Sequence, residues 1–166
     1  MSAPNPAETA PLHEGSLAGS DWLAGLDPGR SKCGLALANR RQHRVAAAAV
    51  LPPESALRLL ERWQQLGLER VLLGNGTHSR SWQQQLQQLG LSAALVDERG
   101  TTLAARQRYW QLYPARSWRR LLPEGLRLPP RDIDDVVAQL LLERHWGEPL
   151  DPLPQDALQG NEPAQR

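Results

Sequence analysis

Short apolar runs separated by polar turns fill the first third of the chain. Trp22 to Asp27, Cys33 to Ala38 and Val45 to Leu51 are such runs, and Pro28-Gly29 closes the first of them. Apolar runs of this length between turn-forming residues are typical of β-strands. Three of them joined by tight connections predict an antiparallel meander.

After Pro52-Pro53 the spacing of the apolar residues becomes that of helices alternating with strands. A first helix is predicted from apolar residues that recur every three positions and that Gly67 follows: Leu57, Leu60, Trp63 and Leu66. The same reasoning predicts buried strands at 71–73 and 91–96, helices at 79–89 and 133–146, and between them a third helix that runs to about Leu112. Thr101 or Thr102 is the expected N-cap of the third helix, and Asp132 that of the last. The predicted order is βββαβαβα, a basic loop and a final helix.

This order predicts an α/β fold with one mixed sheet. The meander makes one side of the sheet antiparallel, the alternating units make the other side parallel, and helices cover both faces. The apolar pattern stops at both ends, where the chain is rich in Pro, Ala and Gly. We therefore expect one domain at 21–147 between disordered tails at 1–20 and 148–166.

Composition limits the cellular locations that we expect for the protein and the residue types that can bind a metal in it. No stretch approaches the roughly 18 to 20 apolar residues of a membrane-spanning helix, and the first 20 residues lack the features of a signal peptide. We expect a cytoplasmic protein without a membrane partner. The single cysteine, Cys33, excludes an internal disulfide and a cysteine-cluster zinc site, and the four histidines have no metal-ligand spacing. Any metal must be held by carboxylates.

The net charge of +1 is the sum of a basic central region and two acidic ends. Residues 21–147 contain 17 Arg and one Lys against 12 acidic residues, a net charge of +6. Within them, Arg99 to Arg131 holds eight arginines and a single acid, Glu124. Such a patch is expected of a protein with a phosphate-rich partner, although a solvated face in an arginine-rich chain is the other interpretation.

Aromatic residues lie among these arginines. Trp110, Tyr113 and Trp118 fall between Arg108 and Arg120. Aromatic rings among arginines can stack on unpaired bases. A role in the core or in anchoring a loop is the alternative for each ring.

Carboxylates occur at three predicted element ends. Asp27 ends the first strand, Asp97-Glu98 ends the last, and Asp132, Asp134 and Asp135 open the last helix. Strand ends that are neighbours in a sheet bring their side chains together, so these groups can meet at one edge. Mg²⁺ and Mn²⁺ prefer oxygen ligands, and a pair of such ions can promote phosphodiester cleavage. The pattern suggests a metal-dependent nuclease, whereas an Asp-Pro-Gly turn and acidic helix starts explain each carboxylate separately.

The turn Gly74-Asn75-Gly76-Thr77 follows a predicted strand and precedes a helix. Its backbone amides can receive a phosphate, and a tight turn is the alternative. Ser79 takes the third glycine position of a GxGxxG pattern and no P-loop pattern occurs, so no dinucleotide or P-loop site is predicted.

Three motifs and one insertion carry a family resemblance. Gly25-Leu-Asp27-Pro-Gly29-Arg-Ser-Lys32-Cys-Gly34-Leu-Ala36 resembles the opening motif of the bacterial YqgF/RuvX family of Holliday-junction-resolvase-like and pre-16S rRNA-processing nucleases. Asp97-Glu98-Arg99-Gly-Thr101-Thr102-Leu-Ala-Ala105 resembles its second motif, and Asp134 with Ala138 resembles its last helix. The long 113–131 insertion is similar to that of the cyanobacterial branch.

The resemblance implies a ribonuclease-H-like fold and divalent-metal hydrolysis of structured RNA or branched DNA by a monomer or homodimer. It implies that Asp27, Glu98 and Asp134 are the catalytic, metal-binding carboxylates for Mg²⁺ or Mn²⁺, with Asp97 as the substitute for Glu98. Nucleic-acid contacts are expected from six basic residues: Lys32, Arg30, Arg99, Arg116, Arg119 and Arg120.

Two other functions stay open. The first is a non-catalytic nucleic-acid or ribosome-associated binding module with the same fold. The second is an actin-like or sugar-kinase-like nucleotide binder, although a body of roughly 125 residues lacks the second lobe that such enzymes need.

Overall fold

One mixed β-sheet organises the part of the chain that the structure, a computed structural model, describes: residue 13 and residues 15–153. Its strands are β1 (Trp22–Asp27), β2 (Cys33–Asn39), β3 (Arg44–Leu51), β4 (Arg70–Gly74) and β5 (Ser92–Val96). The helices are α1 (Pro53–Gln65), α2 (Ser79–Gln88), α3 (Thr101–Leu112) and α4 (Asp134–Trp146). Two short 3-10 helices, Ser117–Leu121 and Glu124–Leu126, lie between α3 and α4.

The sheet has the strand order β3-β2-β1-β4-β5. The β1–β2 and β2–β3 pairs are antiparallel, whereas the β1–β4 and β4–β5 pairs are parallel. This is the ribonuclease-H-like arrangement, so the predicted fold class and element order are confirmed.

Alternation along the strands builds a core on each face of the sheet. Leu35 and Leu37 of β2 join the core under α1 and α2, whereas Ala36 and Ala38 join the core under α4. Helix α4 is buried on most sides, because it lies between the sheet and α3. Among the described residues, no helix is both long and apolar enough to cross a membrane.

Two glycines allow α4 to approach the sheet closely. A Cβ at Gly34 of β2 would overlap the carbonyl of Asp134, and a Cβ at Gly25 of β1 would overlap the carbonyl of Ala138. The helix backbone therefore rests directly on the backbone of the two strands. This contact places Asp134, the first residue of α4, beside the end of β1.

The structure corrects both predicted N-caps. The residue at the N-cap of α4 is Ile133, whose alkyl side chain cannot accept a hydrogen bond. Asp132 lies one residue earlier, with its carboxylate 2.6 Å from the ammonium of Lys32. Helix α3 starts after Gly100, whose φ of 70° lies in the left-handed region. Thr101 is inside the helix, and its hydroxyl donates to the carbonyl of Glu98.

The prediction of a buried last strand was also wrong. β5 lies at the edge of the sheet, and its side chains are exposed or only partly buried. Leu95 leaves half of its surface exposed. An apolar run cannot distinguish a central strand from an edge strand, because that difference depends on which neighbours the sheet supplies.

The packed region extends beyond residues 21–147 in both directions. Leu17 is buried and its backbone N–H donates to the carbonyl of Leu66. Leu150 and Leu153 are also buried, and the backbone of Asp151 is hydrogen-bonded to β3 through Val45. These residues belong to the predicted tails. The rest of the tails, 1–12, 14 and 154–166, lies outside the described residues.

A buried charged network secures the C-terminal extension. The guanidinium of Arg108 lies 2.7 Å from Glu143, and both side chains are largely buried. The same carboxylate accepts hydrogen bonds from Gln139 Nε2 at 3.0 Å and from the backbone N–H of Leu150 at 2.9 Å. Because Glu143 meets several donors at once, it ties α3, α4 and the extension together.

We expect Gly34→Ala to destabilise the protein by about 1–3 kcal/mol, because the added methyl must displace the backbone of α4. Urea unfolding followed by circular dichroism measures the difference in free energy of unfolding. Gly125→Ala is the matched control, since a Cβ there has no atom within 4 Å. Equal stability of the two variants would show that the α4 contact is not tight.

Candidate active site at the carboxyl edge of the sheet

Asp27 and Glu98 meet although their strands are not neighbours. Asp27 ends β1, Glu98 follows β5, and β4 lies between these strands. Glu98 crosses the end of β4 at Gly74, where a Cβ would overlap its carboxylate oxygen Oε1. A Cβ at Gly76 would lie 2.8 Å from Oε2. The two carboxyl groups therefore come together because the end of β4 carries no side chain.

The main chain of Glu98 is held from both sides. Its N–H donates to Asn75 Oδ1 at 3.1 Å, and the N–H of Asn75 donates to the carbonyl of Val96 at 3.0 Å. The carbonyl of Glu98 accepts from the N–H of Thr101 at 2.9 Å and from its hydroxyl. The turn after β4 thus acts as a support for Glu98. Sequence reasoning missed this role, whose signal was a Gly-Asn-Gly string directly after a buried strand.

The carboxyl pair is electrostatically strained. The pKa of Asp27 is raised from 3.8 to about 7, first by burial, then by the charge of Glu98, by a hydrogen bond with Glu98 and by the charge of Asp134. Glu98 Oε1 is buried without an N–H or hydroxyl donor among the described residues. Two carboxyl groups in this arrangement need a shared proton or a cation between them.

Asp134 is close to this pair but engaged elsewhere. Its Oδ2 lies 3.8 Å from Lys32 Nζ, which makes a closer contact of 2.6 Å with Asp132. Burial raises the pKa of Asp134, and the charge of Lys32 opposes this effect. In the described part of the chain, no three His, Cys, Asp or Glu side chains are close enough to hold one metal ion together. The structure thus joins Asp27 with Glu98 and leaves Asp134 in an ion pair at their side.

Asp97 has a different environment from Glu98. More than half of its side chain is exposed, and Oδ1 accepts from the N–H of Arg99 at 3.0 Å. This contact stabilises the turn after β5. Of the two adjacent acids, Glu98 is therefore the one that faces Asp27.

The predicted nucleic-acid-binding arginines occupy two areas. Arg30 and Arg99 are exposed on the loops that follow β1 and β5, next to the carboxyl pair. Arg116 and Arg120 are exposed on residues 113–131, and Arg119 is half-buried there. The first area borders the carboxyl pair directly, and the second belongs to the segment that leads into α4.

Comparison with known proteins gives a single kind of match. No protein-family model matches the chain, and no curated protein is significantly similar to it. Among solved structures, it is similar to T. thermophilus RuvC in complex with Holliday junction substrate, at 16% sequence identity and a TM-score of 0.45. The match covers 76% of this chain and 96% of that one. The fold assignment rests on the strand order and pairing described above.

We expect Asp27→Asn to stabilise the protein in EDTA at pH 8 by a few degrees in Tm, on the order of 1 kcal/mol. Because the pKa of Asp27 is raised in the folded state, the unfolded state loses this proton at a lower pH than the folded state does. The contribution of Asp27 to the free energy of unfolding is therefore complete below about pH 4 and is lost as the pH rises through 7. The gain from Asn should therefore shrink as the pH falls towards 4. Thermal melts across this range measure it.

Asp21→Asn serves as the control, because Asp21 is a surface carboxylate whose charged partner is Arg41 at 3.4 Å. Its Tm should follow the wild type at every pH. A gain for Asp27→Asn that is constant between pH 4 and pH 8 would contradict the assigned cause.

Proposed function

We propose that this protein is a divalent-metal-dependent nuclease that hydrolyses phosphodiester bonds in structured nucleic acid. The observation that carries the proposal is the meeting of Asp27 and Glu98 across Gly74 at the carboxyl edge of the sheet, with Asp134 beside them. The exposed arginines around this edge support a phosphate-rich substrate. The resemblance to the YqgF/RuvX family supports pre-16S rRNA or a Holliday-junction-type DNA as that substrate, in the cytoplasm.

The residues present fit Mg²⁺ or Mn²⁺. The donor set consists of carboxylate oxygens, and Glu98 Oε1 is a buried oxygen that lacks a donor. Mg²⁺ is usually bound by one or two carboxylates and completes its coordination with waters and substrate phosphates, so Asp27 and Glu98 suffice as a primary pair. Asp134 would be the third carboxylate. A bound cation of this kind supplies charge neutralisation at the phosphate and lowers the pKa of a water for attack.

The chain's own residues prepare this site. Asp27 and Glu98 provide the anionic oxygens, and Asn75 and Thr101 fix the main chain that carries Glu98. Lys32 brings a positive charge next to Asp134, where a substrate phosphate can compete for it. Arg30 and Arg99 are exposed on the loops that carry Asp27 and Glu98 and are suited to hold the backbone of the substrate.

A binding module without catalysis is the second candidate function. The contact that favours it is the ion pair of Lys32 with Asp132 and Asp134, which holds the third carboxylate with a lysine. In such a protein the arginines bind the nucleic acid, and a proton shared between Asp27 and Glu98 takes the place of a cation.

The nuclease predicts cleavage of a four-way DNA junction or an extended rRNA precursor in Mg²⁺ or Mn²⁺, and none in EDTA. Asp27→Asn and Glu98→Gln should each lower the rate by more than about 100-fold, since loss of a direct ligand exceeds the effect of outer-shell changes. Gel analysis of end-labelled substrates measures the rate and shows which substrate is cut.

Asp97→Asn is the matched control for Glu98→Gln and should cleave at nearly the wild-type rate. All three variants should bind the substrate in EDTA as tightly as wild type or better, because they retain every arginine. Substrate binding without cleavage in every metal arm would refute the nuclease and establish the binding module.

The arginines should govern the salt dependence of binding. Arg99→Ala with Arg120→Ala is expected to reduce the slope of log K against log salt by about 2, one for each lost phosphate contact. Fluorescence anisotropy over a series of KCl concentrations measures the slope. Arg58→Ala is the control, because Arg58 is exposed on α1, on the opposite face of the sheet from α4. A reduction of about 1 by the control, for the single charge that it loses, would show only a general effect of net charge.

A further inference from the structure

The segment between α3 and α4, residues 113–131, exposes large apolar side chains to solvent. Trp118 leaves 63% of its surface exposed, and Leu121 leaves 87%. Leu126 and Leu128 are exposed to a similar extent. Several such residues within one short segment are a mark of a binding surface. We call this segment the connecting segment.

Internal contacts give the connecting segment a defined shape. The indole N–H of Trp110 on α3 donates to the carbonyl of Arg127 at 3.0 Å. The guanidinium of Arg127 donates in turn to the carbonyls of Leu122 at 2.8 Å and Arg120 at 3.1 Å. Trp110 and Arg127 therefore serve the structure of the segment. Trp118 is presented to solvent on the short 3-10 helix Ser117–Leu121, whose end is held by Arg127.

The end of the connecting segment is anchored beside the candidate active site. Arg131 makes a bidentate ion pair with Asp135 on α4. Its guanidinium also lies over the rings of Tyr109 and Tyr113. The next residue, Asp132, pairs with Lys32 on the loop after β1. The segment is thus continuous with the edge of the sheet where Asp27 and Glu98 meet.

The charge of the connecting segment selects the class of partner. Arg116, Arg119 and Arg120 flank Trp118 in sequence, and Glu124 is the only acid from 113 to 131. The guanidinium of Arg119 lies 5.5 Å from the centre of the Trp118 ring. An exposed indole with guanidinium groups around it offers a stacking surface for a base and positive charges for the adjoining phosphates.

We propose that the connecting segment binds an unpaired stretch of the nucleic acid, with Trp118 stacking on a base and Arg119 and Arg120 contacting phosphates. This inference rests on the proposed function, because it specifies the substrate of the same site. The substrate is then one in which a single strand adjoins the bond that is cut. A fully paired duplex lacks an accessible base for Trp118 and gains only the phosphate contacts.

Anisotropy of a fluorescein-labelled single strand of about 12 nucleotides, within the usual range of site sizes, tests the inference in EDTA. Trp118→Ala should weaken binding of the single strand by about tenfold, as expected for loss of one stacked base. Binding of a duplex of the same length should change by less than about twofold. Trp118→Phe should restore most of the affinity, because phenylalanine also stacks.

Leu126→Ala is the matched control, since Leu126 is about as exposed as Trp118 and lies on the same segment but cannot stack. It should weaken binding of the single strand by less than about twofold, because Leu126 adds apolar contact to the surface but no stacking. Quenching of tryptophan fluorescence by the saturating strand gives a second readout. The quenching should fall in Trp118→Phe although this variant still binds, and circular dichroism confirms that each variant is folded.

Three results would overturn the inference. The first is wild-type affinity of Trp118→Ala for the single strand, and the second is an equal loss of affinity for single strand and duplex in that variant. The third is a loss of single-strand affinity in Leu126→Ala and in Trp118→Phe that is as large as the loss in Trp118→Ala. The last would show that general apolar contact, and not stacking, binds the strand. Since these assays contain no metal, they separate this inference from the proposed nuclease. In the Asp27→Asn background, Trp118→Ala should weaken single-strand binding by the same factor. If the protein cleaves its substrate but single-strand binding does not depend on Trp118, the nuclease is retained and the stacking is refuted.

Discussion

The close contact between α4 and the sheet at Gly25 and Gly34 is the constraint on which the candidate site depends. Helix α4 lies with its backbone against β1 and β2, and any Cβ at these two glycines would overlap its carbonyl groups. With α3 packed on its other side, α4 is buried on most of its surface. This position sets the height of Asp134 above the sheet and thereby its distance from Asp27. Larger residues in the two strands would lift the helix and separate the carboxylates.

A second close approach completes the arrangement from the opposite direction. Glu98 belongs to the end of β5 and reaches Asp27 only because Gly74 leaves the end of β4 open. Burying Asp27 and placing it beside Glu98 has a cost, which is visible in the pKa of Asp27, raised first by burial and then by the charge of Glu98. Packing elsewhere has to offset it, and the buried cores on both faces of the sheet supply that stabilisation. Charge repulsion held in place by the rest of the fold is typical of sites that bind cations or phosphates.

Some elements were predictable because their signals are local. The alternation that sends Leu35 and Leu37 to one core and Ala36 and Ala38 to the other can be seen directly in the order of residues. The predicted caps were wrong. Asp132 lies one residue before Ile133, the residue at the N-cap of α4, and its carboxylate pairs with Lys32, which is distant in sequence. The exposure of β5 likewise reflects its place at the edge of the sheet rather than its own composition.

The sequence alone determined the element order, the mixed sheet and the three places where carboxylates occur, because hydrophobic periodicity and turn residues act over a few positions. Tertiary structure decided which of these acids meet. It selected Glu98 over Asp97 through a hydrogen bond from Arg99 and an open strand end at Gly74, and it paired Asp134 with Lys32. It also turned Trp110 inward to hold a loop and left Trp118 exposed. Such outcomes depend on distances between residues far apart in the chain, which only the packing of helices against the sheet determines.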